Sequence, residues 1–133
     1  MANEAVIIEL INGGTPVRRT VADGTTISKG TLLKLADPNT ASASSANADV
    51  FGGIAAADKL ANDGSTTLAA WTDGVFDIKA GSATFSAGAM VKLSGANLVS
   101  AALAADLLTG TVVGFAEETA SADEVVRVRL RGY

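Results

Sequence analysis

The sequence contains neither cysteine nor histidine. These absences exclude disulfide bonds, zinc sites built from cysteine thiolates, and every catalytic scheme that depends on a histidine or cysteine side chain. Aromatic residues make up 5% of the chain and charged residues 18%. This composition predicts a core of small side chains, closely packed thin sheets, and a surface that relies on Ser, Thr, Asn and Gly.

Basic residues are also in the minority. The formal net charge is −4 and the isoelectric point is about 4.6. Phosphate recognition requires a basic surface, so we expect no nucleic-acid partner. The N-terminal tetrapeptide MANE lacks the basic region of a signal peptide, and no apolar run approaches the roughly 20 residues of a membrane span. We therefore expect one domain of 133 residues, made in the cytoplasm and without a membrane partner.

An internal repeat organises the chain. Residues 26–35 read TISKGTLLKL and residues 84–93 read TFSAGAMVKL, with five of ten positions identical. A second shared box follows each copy, Gly-Ile-Ala at 53–55 and Gly-Phe-Ala at 114–116, and the offset grows from 58 to 61 residues. Two copies are too few for a solenoid, so we expect two three-stranded units to close into one compact, mainly β fold.

The segment before the repeat is predicted to be an N-terminal arm or edge hairpin at residues 1–22. Residues 5–11 read as a strand, Asn12-Gly13 is a strong hairpin turn signal, and residues 15–21 form the return, with Pro16 at an edge. The barrel-like domain then occupies residues 23–133, with repeat units at about 26–79 and 84–131. Residues 36–49 are predicted to be a polar loop, and residues 100–108 to be the single short helix, capped by Ser100.

The final strand alternates, so that Val126, Val128 and Leu130 face one way and Arg127, Arg129 and Arg131 the other. Like charges on one sheet face repel unless acidic groups meet them. The arginine face is therefore either a solvated face beside an acidic strand or a contact to an acidic partner.

Candidates for chemistry are few. The pairs Glu117-Glu118 and Asp123-Glu124 are either calcium ligands or a solvated loop, and no calcium-loop spacing supports the first interpretation. Gly52-Gly53 lacks the context of a phosphate loop and is predicted to serve close strand approach or a bulge. We expect no catalytic residue, no cofactor and no metal. Trp71, the single tryptophan, is assigned to the core or a subunit interface, with a ligand-stacking platform as the alternative.

The N-terminal strand supplies the strongest functional argument from physics. Val6, Ile7, Ile8 and Leu10 make it more apolar than a free arm should be, and an exposed apolar edge strand invites pairing. It pairs either within its own fold or with a neighbouring subunit or host lattice. Arg18 and Arg19 are candidates for charge contacts in the same segment.

The pattern S-x-G-x-[LM]-[LV]-K-L, the Gly-[Ile/Phe]-Ala box, Gly74-Val75-Phe76 and the closing Val-Arg-Val-Arg-Leu resemble the capsid cement or head decoration proteins of tailed viruses. The resemblance covers about residues 26–130. It implies a small β-barrel or β-tulip-like domain that forms a homotrimer on the outer capsid surface at three-fold and quasi-three-fold positions. It also implies that the trimer clamps the major capsid protein in the expanded shell, with the contacts of the N-terminal segment falling on residues 1–19.

A non-catalytic adhesion or carbohydrate-binding module is the alternative to this structural role. A sugar site usually presents several exposed aromatic residues or Asp and Asn clustered near calcium, and the chain offers one Trp and one Tyr. The sequence disfavours an enzyme.

Overall fold

A computed structural model of the protein describes residues 3–11, 15–82 and 84–130. The described part of the chain is mainly β, with one short helix. Its elements are β1 (Val6–Glu9), β2 (Val17–Thr20), β3 (Leu32–Ala36), β4 (Thr40–Ala43), β5 (Phe51–Ala55), β6 (Thr67–Trp71), β7 (Gly74–Ala80), β8 (Met90–Leu93), β9 (Leu98–Ala101), α1 (Ala104–Thr109), β10 (Val112–Ala116) and β11 (Val125–Leu130).

The strands form two closed five-stranded barrels with the same topology. Barrel 1 has the order β2-β4-β3-β5-β6. In barrel 2 the order β7-β11-β10-β8-β9 is closed by a parallel pairing of β9 with β7, which matches the parallel pairing of β4 with β2. The prediction of a mainly β, barrel-like fold built from a two-copy repeat, with at most one short helix, is therefore confirmed.

Each repeat copy closes a barrel of its own, and this differs from the expected three-stranded units. β2 belongs to barrel 1 and not to an N-terminal hairpin, because it pairs with β6 while β1 pairs with β7. The turn expected at Asn12-Gly13 lies outside the described residues. Likewise β7, assigned from the sequence to the end of the first copy, is the first strand of the second.

The shared sequence boxes have the same structural role in both barrels. Gly30 and Gly88 occupy equivalent turns with φ near 90°, and their N–H groups donate to Ala55 and Ala116 at 2.8 and 2.7 Å. In the second box the ladder shifts register beside Gly53 and beside Gly114, at equivalent places. The bulge expected at Gly52-Gly53 is thus confirmed, and the two boxes mark one backbone path that is used twice.

Two further expectations need correction. Residues 40–43 form strand β4 within the predicted loop, because Ala41 and its small neighbours fit the narrow barrel wall without a strong apolar pattern. Ser100 lies in β9, and the helix begins at Ala104. Its N-terminus is instead closed by Asp106, whose carboxylate accepts the N–H of Leu103 at 2.7 Å.

Four aspartates cap turns through their carboxylates. Asp23 accepts the N–H of Gly64, Asp58 that of Lys29, Asp63 that of Ser65 and Asp73 that of Gly74. Each carboxylate stabilises a connection between strands. These aspartates therefore have a structural role and do not cluster into one site.

The core has two parts. Aliphatic side chains such as Val21, Leu33 and Ala41 fill barrel 1. A larger cluster fills barrel 2 and continues into the contact between the barrels, where Leu32, Phe51 and Ile54 of barrel 1 join it. The two barrels thus share apolar packing and form one body.

Val126, Val128 and Leu130 are buried, as the alternation of β11 predicted. Val128→Asp places a carboxylate among apolar side chains and is expected to destabilise the protein by about 4 kcal/mol or more, whereas Arg129→Ala removes an exposed side chain and costs roughly 0.5 kcal/mol or less. Thermal unfolding followed by circular dichroism measures both. Equal losses in the two variants would show that the assignment of the two faces is wrong.

Candidate functional site

Titratable groups do not assemble into a reaction centre in the part of the chain that the structure describes. It contains no group of three or more residues able to hold a metal ion. Two of the four acidic residues singled out from the sequence bind the backbone: Glu118 accepts the N–H of Arg127, and Glu124 accepts the N–H of Ser121. Contact surfaces are therefore the features to examine.

The N-terminal strand β1 lies outside both barrels and adds to the edge of β7. Val6 lies opposite Asp77 and Ile7 opposite Phe76, and the register then shifts at Ile8. The structure thus decides between the two alternatives for this strand: it pairs within its own fold. Ile7 packs against the core, while Val6 remains 60% exposed and Leu10 37% exposed.

β1 is also the terminal strand of its sheet. Its outer edge therefore pairs with no other strand among the described residues, and an apolar strand with an open edge is a template for a further strand.

The two arginines of the N-terminal segment lie on β2 and differ in their surroundings. Arg18 is exposed, and its carbonyl accepts a hydrogen bond from the Asn39 side chain. Arg19 is half-buried and donates to the carbonyl of Gly52 at 3.0 Å and to Oδ1 of Asn39 at 2.8 Å. Arg18 is therefore free to meet a partner's charge, whereas Arg19 fixes β2 to its own barrel.

The arginine face of β11 meets an acidic neighbour. Arg127 lies directly opposite Asp77 of β7 in the ladder, and its Nε is buried without a hydrogen-bond partner among the described residues. Arg129 is exposed, and Arg131 lies outside the described residues. The structure thus places Arg127 opposite one aspartate in a strand that also carries Lys79, and it leaves Arg129 exposed.

Trp71 ends β6 at the contact between the barrels and lines an open groove of about 320 Å³. We call this the junction groove. Its walls come from β1, both barrels and the Gly30 turn, and the lining side chains used below are Val6, Ile7, Lys29, Ile54, Trp71 and Phe76. The Nε1 of Trp71 is buried and has no hydrogen-bond partner within residues 3–11, 15–82 and 84–130. The groove therefore brings together two residues singled out on β1 and the single tryptophan, which are far apart in the sequence.

A second apolar surface stands on the helix. No residue of α1 is buried. Leu103 is 72%, Leu107 38% and Leu108 88% exposed, and we call these three residues the leucine ridge. The helix that carries them is firmly attached, because Asp106 binds the Leu103 N–H, lies 3.7 Å from Nζ of Lys92, and accepts the Thr111 hydroxyl through its carbonyl.

Sequence reasoning missed Lys29 and Phe76 as groove residues, since only the folded chain brings them together. It also missed Lys59, whose side chain is 2% exposed. Its ammonium group donates to the carbonyls of Asp23 and Leu60 and to Asp63. No local pattern distinguishes such a buried lysine from an exposed one in a turn-rich connector.

No protein-family model matches the sequence, and a search of curated proteins found no match. Among the described residues, no helix has the length and apolar character to cross a membrane.

The attachment of α1 predicts a pH dependence. The Leu103 N–H, followed by the charge and hydrogen bonding of Lys92, holds the pKa of Asp106 below its ordinary value of 3.8. A lowered pKa in the folded state gives stability that is present above pH 3.8 and lost as the pH falls through the folded-state pKa. Asp106→Asn is therefore expected to melt below the wild type at pH 7, and the difference should shrink as the pH falls below about 4.

Thermal melts from pH 7 to pH 2 test this expectation, with Lys92→Gln as the variant that removes the ion pair and keeps the bond to Leu103. A melting difference between wild type and Asp106→Asn that stays constant across the whole range contradicts it.

Proposed function

We propose that the protein is a non-catalytic structural protein that binds the outside of an icosahedral viral capsid as a trimer and stabilises the expanded shell. The observation that carries the proposal is β1, an apolar strand that lies outside two complete barrels and keeps an open outer edge. The resemblance of the repeat boxes to capsid decoration proteins supplies the partner, the major capsid protein.

Attachment through such an edge requires no chemistry. An extended segment of the capsid subunit adds to β1 through main-chain hydrogen bonds, and Val6 and Leu10 provide apolar contacts beside it. Arg18, exposed on the neighbouring barrel, contributes charge contacts to an acidic patch. The binding free energy of one copy is modest. A trimer that engages several capsid subunits binds more tightly, because its later contacts form at a high effective concentration.

Binding of this kind stabilises the shell by mass action. A ligand that binds the expanded state and not the disassembled one stabilises it by about 2.7 kcal/mol when its free concentration is a hundred times its Kd. The closure of both barrels by strand pairing suits a part that adds rigidity without changing shape.

A carbohydrate-binding or adhesion module is the second candidate, and Trp71 in the junction groove is the observation that favours it, because aromatic faces stack on sugars. The remaining groove lining is aliphatic or aromatic apart from Lys29, and it contains none of the carboxylates or amides that recognise sugar hydroxyls. The groove therefore fits an apolar side chain better than a sugar.

Light scattering of the purified protein, with and without undecorated expanded capsid shells of tailed phages, tests the proposed role. We expect a mass near three times 13.3 kDa and co-sedimentation with the shells. A protein that ignores the shells at every concentration contradicts the capsid role and favours the adhesion module.

Deletion of residues 1–14 tests the contribution of β1. Both barrels keep all their strands, so we expect a folded protein, with a melting temperature lower by several degrees because Ile7 no longer covers the core. Attachment to shells should fall at least tenfold in affinity. Unchanged occupancy on the particles would refute the role of β1, and near-ultraviolet circular dichroism provides the control for folding.

A further inference from the structure

The N–H and carbonyl of Ile7 point to the outer edge of β1. On β11, the carbonyl of Arg127 accepts the N–H of Glu117, which directly follows β10. The main-chain groups of successive residues alternate in direction along a strand, so those of Val128 turn to β7 and pair with Phe76. Phe76 therefore turns its own main-chain groups away from β1, and Ile7 lies opposite it in a pair without hydrogen bonds. The main chain of Ile7 is left facing the other way.

This outer edge forms one wall of the junction groove. Ala5 points in the same direction as Ile7, and its N–H donates to the carbonyl of Gly30 in barrel 1 at 2.7 Å. The Gly30 turn thus closes the edge beside Ala5. Two residues later Ile7 lines the groove, with Ile54 and Trp71 of barrel 1 among the other lining residues. Only β7 pairs with β1 among the described strands, so a donor and an acceptor of Ile7 are available at the groove.

One charged side chain borders this apolar space. Lys29 is the single charged residue in the lining and is exposed. Its main-chain N–H binds Asp58, but its ammonium group forms no salt bridge within residues 3–11, 15–82 and 84–130. The groove volume of about 320 Å³ is at the lower end of the range of ligand sites, roughly 300 to 1,000 Å³. The space therefore suits one or two side chains and an anionic group at its mouth.

We infer that the junction groove binds an extended segment of a partner protein in which an aliphatic or aromatic residue is followed by Asp or Glu. The segment runs antiparallel to β1, the direction in which β1 itself pairs with β7. One of its residues, which we call the anchor residue, exchanges both main-chain hydrogen bonds with Ile7. The inference rests on the strand addition of the proposed function and specifies the chemistry of the added segment.

The side chain of the anchor residue occupies the groove. Residues that lie opposite each other in a ladder have their side chains on the same face of the sheet. Ile7 packs against the cluster that contains Ile54 and Phe76, and Trp71 packs against the same cluster. An apolar side chain opposite Ile7 therefore meets these residues, and its burial supplies most of the affinity.

Lys29 determines where the acidic residue of the segment lies. Lys29 precedes Gly30, which binds Ala5, so it stands at the end of the groove where β1 begins. An antiparallel segment reaches that end with the residues that follow the anchor residue. Asp or Glu within about three positions of the anchor residue meets the ammonium group there, whereas Lys or Arg is repelled. The order, apolar residue first and acidic residue second, is thus part of the inference.

The main chain of Ile7 also distinguishes a peptide from a small apolar anion. A fatty acid could fill the apolar space and meet Lys29, but it has no N–H to donate to the Ile7 carbonyl. A peptide provides a donor and an acceptor at the spacing of a ladder. A protein segment therefore satisfies every open group of the groove.

Selection from a displayed library of random peptides about ten residues long, linked at both ends, tests the inference on the full-length protein. We expect the selected peptides to share an aliphatic or aromatic residue followed by Asp or Glu. Synthetic copies with acetylated and amidated ends then provide dissociation constants free of terminal charges. Their binding should shift the fluorescence of Trp71 to shorter wavelength, because the one tryptophan of the chain lines the groove.

N-methylation of the selected peptides tests the pairing with Ile7. A methyl group on the anchor nitrogen removes the donor for the Ile7 carbonyl and should weaken binding about tenfold. The same modification one residue later is the control, because the N–H at that position points away from β1 and its loss should change the affinity little.

A charge reversal tests the role of Lys29. Lys29→Glu should weaken binding roughly fivefold, and a peptide with lysine in place of its acidic residue should recover the loss. Arg129→Glu makes the same change of charge at an exposed position outside the groove and should bind like the wild type. Melting curves verify that both variants fold.

Several results overturn the inference: a library that yields no peptide able to shift Trp71 fluorescence, equal effects of the two N-methylations, or equal effects of Lys29→Glu and Arg129→Glu. Binding of dodecanoate in the absence of peptide binding assigns the groove to a small apolar anion instead. A rise in mass by light scattering that Val6→Asp abolishes assigns it to a second copy.

The selection uses no capsid shells, so its failure is separate from that of the capsid role. A protein that binds the peptides as described but ignores shells refutes only the capsid role. A protein that binds shells equally well with Lys29→Glu, and in the presence of excess selected peptide, refutes only the assignment of the groove.

Discussion

The buried amide of Asn97 joins the two barrels, and the candidate surfaces depend on that union. Asn97 is completely buried in the turn between β8 and β9, with φ of 57°. Its Oδ1 accepts the N–H of Leu32 at the start of β3 at 2.9 Å, and its own N–H donates to the hydroxyl of Ser44 at 3.2 Å. An amide buried without these partners would cost about 1–3 kcal/mol, so rotation of one barrel against the other is opposed by polar as well as apolar contacts.

The same union gives the junction groove its fixed walls. Ile54 and Trp71 come from barrel 1, Phe76 from barrel 2, and Ile7 from the strand added outside. A groove assembled from separate elements is only as well defined as the contacts between them. Here the shared core, the Asn97 bonds and the short connection between β6 and β7 keep the walls in register.

Much of the fold was readable from the sequence because the strongest local signals were duplicated. The two Ser-x-Gly boxes, the Gly-Ile-Ala and Gly-Phe-Ala boxes and the alternation of Val126 and Val128 each correspond to a feature of the structure. The extent of the repeat unit was not readable, because β2 (VRRT) and β4 (TASA) are four-residue strands with little apolar pattern. Their identity comes from closing a barrel, which is a property of distant contacts.

The site was predictable only in its parts. The apolar character of β1 and the singular position of Trp71 drew attention from the sequence, and the structure brings Val6, Ile7 and Trp71 together. Their joint surface required knowledge of where the first strand docks. The helix was expected as well, and only the folded chain shows that Leu103 and Leu108 face water.

The short link between Trp71 and Gly74 makes the molecule a covalent dimer of like barrels. Two identical barrels on separate chains would each carry the same helix and the same added strand. Each feature would then occur twice, which favours even-numbered assemblies. Tandem fusion removes that restriction. Barrel 2 contains α1 and pairs with β1, whereas barrel 1 has neither feature among the described residues. The duplication therefore gives a single polypeptide two barrels of the same topology whose outer surfaces differ.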